Sequence, residues 1–208
     1  MIVTLDGQRL TDDFAPQSTL QALIDRVRAA HLNDRLVVSV AVNGQCLGDA
    51  ELNASLGQPL DAGVQIDLES GQRDALVRDA LRGLAMEFAD ARARLPDVAD
   101  QLSSGDVTAA MHDVSEFVAL WQTCYRALSQ CSGLLNRDLT SLQHNGRNVR
   151  AYLEDLIGKL SELRSALEAH DTVMLADLVH YEFPALTETW QAVLNDLAEQ
   201  VTPATATA

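Results

Sequence analysis

Aromatic residues make up only 4% of this 208-residue chain, and lysine occurs once, at Lys159. With so few rings, a core drawn from the 47% of residues that are hydrophobic must consist mainly of Leu, Val and Ala. Such a composition favours helices and argues against disorder. Basic side chains number 15 against 30 acidic ones, a formal net charge of −15. That balance disfavours nucleic acid and anionic membrane surfaces as partners, because both require clustered Lys and Arg. Cysteine is limited to Cys46, Cys124 and Cys131, an odd number without framework spacing, which points to a reducing compartment and no disulfide. Long apolar runs are missing, so no membrane-spanning helix is expected. The opening "MIVTLDGQRL" has no basic segment leading into an apolar one, so no signal peptide is expected and the predicted location is cytoplasmic.

Chemical signatures are also missing. The chain has no C-x-x-C, no G-x-x-x-x-G-K-[ST], no G-x-S-x-G and no Glu-x-x-His. A di-metal carboxylate site in a helical bundle needs the last of these twice. His112 with Glu116 and His180 with Glu182 each stand alone on their segments. Cys124 and Cys131, seven apart, fall on an apolar stripe and read as core residues. No metal, cofactor or catalytic residue is predicted, and the chain is read as a non-enzyme.

Two patterns are present. In residues 1–70, "MIVTLDGQRL" reads as strand, tight turn, strand. "STLQALIDRVRAAH" is a helix with Ser18 or Thr19 as cap, and "RLVVSVAVNGQCL" is a strand, an Asn-Gly turn and a short strand. "GVQIDLES" is a last strand with Val64, Ile66 and Leu68 on one face. The motifs "MIVTLDGQ", "VAVNGQ" and "LDAGVQIDLES" around the capped helix resemble the ubiquitin-like β-grasp fold. A sulfur carrier of that fold would need a free C-terminal Gly-Gly, whereas this strand runs on into "SGQRDALVRD". Recruitment or docking is the remaining role.

Residues 74–200 keep a step of three and four between apolar positions. Four stripes, starting at Val77, Val107, Val149 and Leu175, predict an antiparallel four-helix bundle, making the whole chain α+β. "SSGD" and "EAHD" form short connections with Asp106 and Asp171 as caps. "NRDLTSLQHNGR" is expected to be a loop, with or without one helical turn. Residues 201–208 are expected to fray. Pro96 and Pro184 interrupt stripes that keep their phase, so two proline-kinked helices are predicted. "GDVTAAMHDVSEFVALW" and "HDTVMLADLVHYEFPALTETW" also echo one another, sharing an acidic cap, "EFxAL" and Trp, with a one-residue slip between cap and "EFxAL".

The features "SGDVTAAM", "LIGKLSELRSALEAHD" and "LTETWQAVLNDL" resemble the flagellin export chaperone family. The resemblance implies an elongated helical bundle that cradles an apolar helical segment of a client. The predicted function is a protein-binding adaptor or chaperone-like protein, with flagellar export as its setting. The alternatives are a small-ligand or metal-dependent enzyme using the bundle interior, or a structural homodimer. If the kink at Pro184 shapes a docking groove, Leu178, Glu182 and Leu186 would line it. Glu182 is expected to border the core and to need a donor such as Tyr125 or Tyr152.

Overall fold

The computed structural model describes residues 1–12, 14 and 18–201, and shows a mixed α+β chain that is mostly helical. It divides into two compact units, Met1–Leu76 and the remainder from Val77. No described helix is long and apolar enough to cross a membrane.

The first unit is built on a five-stranded sheet of order β2-β1-β5-β3-β4. Its strands are β1 (Ile2–Leu5), β2 (Gln8–Arg9), β3 (Arg35–Val42), β4 (Gln45–Cys46) and β5 (Gln65–Gln72). The β1 and β5 strands pair in parallel; the other pairs are antiparallel. Both hairpins turn on a dipeptide in the left-handed region, Asp6-Gly7 and Asn43-Gly44, as two-residue hairpin loops require. The α1 helix (Leu20–His31) starts where Thr19 accepts the Ala22 N–H at 3.2 Å. Its inner face, Leu20, Leu23 and Val27, packs with Val3, Val40, Val64, Ile66 and Leu68 of the sheet region. Each such fully buried side chain contributes about 1.5–3 kcal/mol. The register of β3 against β5 shifts between Val37 and Ser39, leaving Val38 as an exposed bulge residue.

A second helix in this unit, α2 (Asp49–Ser55), was not expected from the sequence. It has no buried residue, so its apolar signal is weak. The Glu51 carboxylate accepts the Gly48 N–H at 3.1 Å and closes its first turn.

The second unit holds α3 (Arg73–Ser104, which begins in the first unit), α4 (Val107–Leu135), α5 (Val149–Glu168), α6 (Thr172–Asp177) and α7 (Phe183–Gln200). Asp106, Asn148 and Asp171 cap α4, α5 and α6 by accepting N–H groups three residues on. The four sequence stripes become one core, dense in aromatics despite their scarcity. Phe88, Phe117, Trp121, Phe183 and Trp190 form a connected cluster, with Trp121 and Trp190 edge to face at 5.5 Å. Both indole N–H groups are buried, with no acceptor among the described residues. Cys124 and Cys131 lie in the same core, and burial pushes the Cys124 thiol up to about 12.

Two sequence expectations need correction here. The connection after α4 holds a 3₁₀ turn (Leu139–Ser141), but also a hairpin of β6 (Gln143–His144) and β7 (Arg147–Asn148) turning on Asn145-Gly146. Pro96 falls within one long helix, α3, and does not divide it, as the continuous apolar stripe predicts. Val201 does not fray: it is 2% exposed in the core, and residues 202–208 lie outside the described residues.

Candidate functional site

The proline at 184 does not sit in the middle of a regular helix. Between α6 and α7 runs a π-turn, Leu178–Glu182, in which the Phe183 N–H reaches back five residues to the Leu178 carbonyl. Pro184 then falls in the first turn of α7, where a missing N–H matters least. The carbonyl of Val179 loses both helical donors: Phe183 bonds to Leu178, and residue 184 has no N–H to give.

The origin of this turn is visible by comparison with α4. From the Asp106 cap, α4 buries Ala110, Val114 and Phe117, at steps of 4, 8 and 11. From the Asp171 cap, the last helical segment buries Leu175, Val179 and Phe183, at steps of 4, 8 and 12. The two patterns match until one extra residue enters between Val179 and Phe183. In an α-helix that residue would rotate Phe183 by about 100° out of the core. The π-turn absorbs it, and Phe183 meets Phe117 at 5.0 Å between ring centroids.

The inward and outward sides of this turn differ sharply. Leu178 is 4% exposed and Leu186 is half-buried against the core, so neither offers an open groove wall. Pro184 is also half-buried. This corrects the expectation that Leu178, Glu182 and Leu186 line a common groove. The outward side chains are Val173, Met174, Asp177, His180, Tyr181 and Glu182. Val173 and Tyr181 are 71% and 68% exposed. Tyr181 stacks edge-on to His180 at 4.5 Å. Val173, Asp177 and Tyr181 follow at steps of four and share one face. In a pure α-helix Tyr181 would sit about 80° past Val173, and the wider π-turn takes back part of that angle.

Glu182 takes its donor from α5, and it is neither of the expected tyrosines. Lys159 Nζ lies 3.3 Å from Glu182 and 3.0 Å from Glu162, so the sole lysine joins α5 to the end of the π-turn. The Glu162 hydrogen bond and, against burial, that from Glu182 hold the Lys159 ammonium above its ordinary range. Tyr152 instead donates to the His144 carbonyl at 3.1 Å, and Tyr125 is exposed.

Sequence reading missed a second cluster. His144 Nδ1 meets Asp196 of α7 at 2.9 Å, its Nε2 meets the Asn145 amide at 2.9 Å, and Gln200 Nε2 donates to the Gln143 carbonyl at 2.8 Å. These contacts tie the β6–β7 hairpin to α7. An aspartate-histidine pair would need a nucleophile at Nε2 to do acyl chemistry, and Asn145 holds that place. The Asn-Gly step was the available signal for the hairpin; nothing in the sequence pairs residue 144 with 196.

Open pockets are shallow. One of ≈ 500 Å³ in the first unit is floored by Leu20, Val42 and Val64 and rimmed by Glu51 and Asp61. Another, of ≈ 440 Å³, runs between α3 and α4 beside Glu87, Asp90 and the Arg94–Glu116 ion pair. Among the described residues no three His, Cys, Asp or Glu side chains are grouped to hold a metal ion.

The family model that matches, described as a domain of unknown function (DUF8042), covers residues 91–193. An uncharacterized protein of Treponema pallidum (strain Nichols) is 27% identical over 187 residues, which is 88% of this chain and 90% of that protein. No solved structure matches. The chain is thus similar to that domain over the helical stretch that carries the π-turn, and to the treponemal protein over most of its length.

Proposed function

We propose that this chain is a protein-binding adaptor or chaperone-like protein, and that it holds its partner on the face formed by α6 and the π-turn. In this reading the first unit is a β-grasp module, and the second is an antiparallel four-helix bundle shaped by its two prolines. The observation that carries the reading is the exposure of Val173 and Tyr181 at a turn that needs one inserted residue to exist. Exposed apolar side chains grouped on one face mark interaction sites more often than isolated ones do. Single π-turns inside helices are frequently found at functional sites. The resemblance to flagellin export chaperones supplies the setting, export of a helical client from the cytoplasm, and the β-grasp module would act in recruitment. The open, shallow pockets give a small substrate little enclosure, which favours binding over catalysis.

The test is capture from the native host with the full chain and with Val173→Ser/Tyr181→Ser, followed by mass spectrometry. Both positions are exposed, so the variant keeps its fold. Proteins retained by wild type and lost by the variant are the expected result. Identical captured sets, or none, would refute the reading.

A further inference from the structure

We infer that the partner presented to this face is a cationic amphipathic helix, an inference that rests on the docking reading above. The face alternates in character along its length. Val173 and Tyr181 are its apolar ends, and Asp177 lies between them one helical turn from each. Asp177 has no ion-pair or side-chain hydrogen-bond partner among the described residues. The stretch of chain that carries the face has the same sign. From residue 154 to 188 there are eight carboxylates and two basic side chains, Lys159 and Arg164. Both basic groups are already engaged, Lys159 by Glu162 and Glu182, and Arg164 by Glu168 at 3.7 Å; from outside the stretch Arg147 pairs with Asp155 at 2.9 Å and Arg92 with Glu188 at 3.1 Å. Eight carboxylates against these four cations leave the stretch negative, and on the face itself Asp177 is the unpaired charge.

A helix that inserts two apolar side chains beside Val173 and Tyr181 brings the residue between them over Asp177. Lys or Arg there meets an unpaired carboxylate; Asp or Glu meets repulsion. The same electrostatics disfavours a second copy of this chain, whose identical face would place carboxylate against carboxylate across a two-fold axis. An anionic lipid surface is disfavoured for the same reason. A partner of this kind would also associate faster at low salt, since a net charge of −15 steers cations toward the chain.

The experiment is selection of displayed 16-residue peptides on the full chain, with Leu fixed at helical spacing and all charged positions free. Counter-selection uses Val173→Ser/Tyr181→Ser. The expected winners carry net positive charge. For a winning peptide, anisotropy titration should show roughly fivefold weaker binding to Asp177→Asn. Its affinity should also fall steadily with salt. Urea unfolding by tryptophan fluorescence checks that each variant is folded. Face-dependent winners with no charge bias, unchanged by Asp177→Asn, would overturn the cationic partner and leave the docking face standing. No face-dependent winners would overturn the inference, while host capture separately decides the adaptor reading. Self-association that is lost in Val173→Ser/Tyr181→Ser would overturn it in favour of a second copy.

Discussion

Deleting His180 should be tolerated only when Pro184 is also replaced. The deletion removes one exposed residue and returns the cap-to-Phe183 spacing to the 11 residues of α4. It also closes the π-turn into an α-turn, so the ring of Pro184 meets the carbonyl four residues back, at a cost of about 3 kcal/mol. In the variant that adds Pro184→Ala the clash is gone. The new N–H gains a hydrogen bond worth about 0.5–1.5 kcal/mol. Loss of the proline's restraint on the unfolded chain removes about 0.4–1 kcal/mol. The two nearly cancel, so Pro184→Ala alone, and the deletion combined with it, should each lie within about 1 kcal/mol of wild type. The cycle therefore predicts a coupling of about 2–3 kcal/mol between deletion and proline. Deleting His112 from α4 is the control, because no widened turn is there to absorb the change. Phe117 and Trp121 would swing about 100° relative to Ala110. Loss of two buried aromatics at about 3–5 kcal/mol each would exhaust the stability of an ordinary domain. Urea unfolding followed by tryptophan emission is the assay, since both tryptophans, Trp121 and Trp190, lie in the helical unit. Equal costs for the His180 deletion with and without Pro184→Ala would refute the link between turn and proline. Unfolding of the combined variant would refute the inserted-residue account itself.

Three further outcomes can be checked with the same protein. Trp190→Ala should cost about 3–5 kcal/mol, and Trp190→Phe much less, because phenylalanine removes an indole N–H that has no acceptor; equal losses would show that this donor is satisfied. A thiol reagent should modify exposed Cys46 quickly, and Cys124 and Cys131 only on unfolding, with fast reaction of all three contradicting the core assignment. The Ser70 N–H, followed by the Ser70 hydroxyl and Arg35, holds the Asp6 carboxyl below its ordinary value. Because the folded value is the lower one, this contribution is complete above the unfolded value near about 3.9 and is lost as pH falls through the folded value. An NMR titration placing Asp6 at or above the ordinary aspartate value would show that the network does not form.

Much of this architecture was legible because its signals are local. Asp-Gly and Asn-Gly between alternating apolar residues marked the hairpins, and Thr19, Asp106 and Asp171 marked helix starts. The α2 helix escaped because a short surface helix with only a half-buried Leu52 has little periodicity to detect. Pro184 was readable as a conflict between stripe and backbone, but not as a π-turn. The one-residue slip between the two capped segments held that information, and only the facing Phe117 and Phe183 rings show why the slip must be absorbed. Helical spacing around Pro184 groups Leu178, Glu182 and Leu186, and spacing does not tell an inward side chain from an outward one; packing alone separates buried Leu178 from exposed Tyr181. The Lys159–Glu182 and His144–Asp196 contacts join distant segments, and no spacing rule reaches that far.

The most direct test of the docking face is amide hydrogen exchange on the full chain, alone and bound to the partner recovered by host capture. The account predicts slowed exchange concentrated in residues 172–183, with the outer faces of α3 and α4 unchanged. Protection confined to the sheet unit or to the α3–α4 groove, with residues 172–183 exchanging as in the free protein, would contradict it.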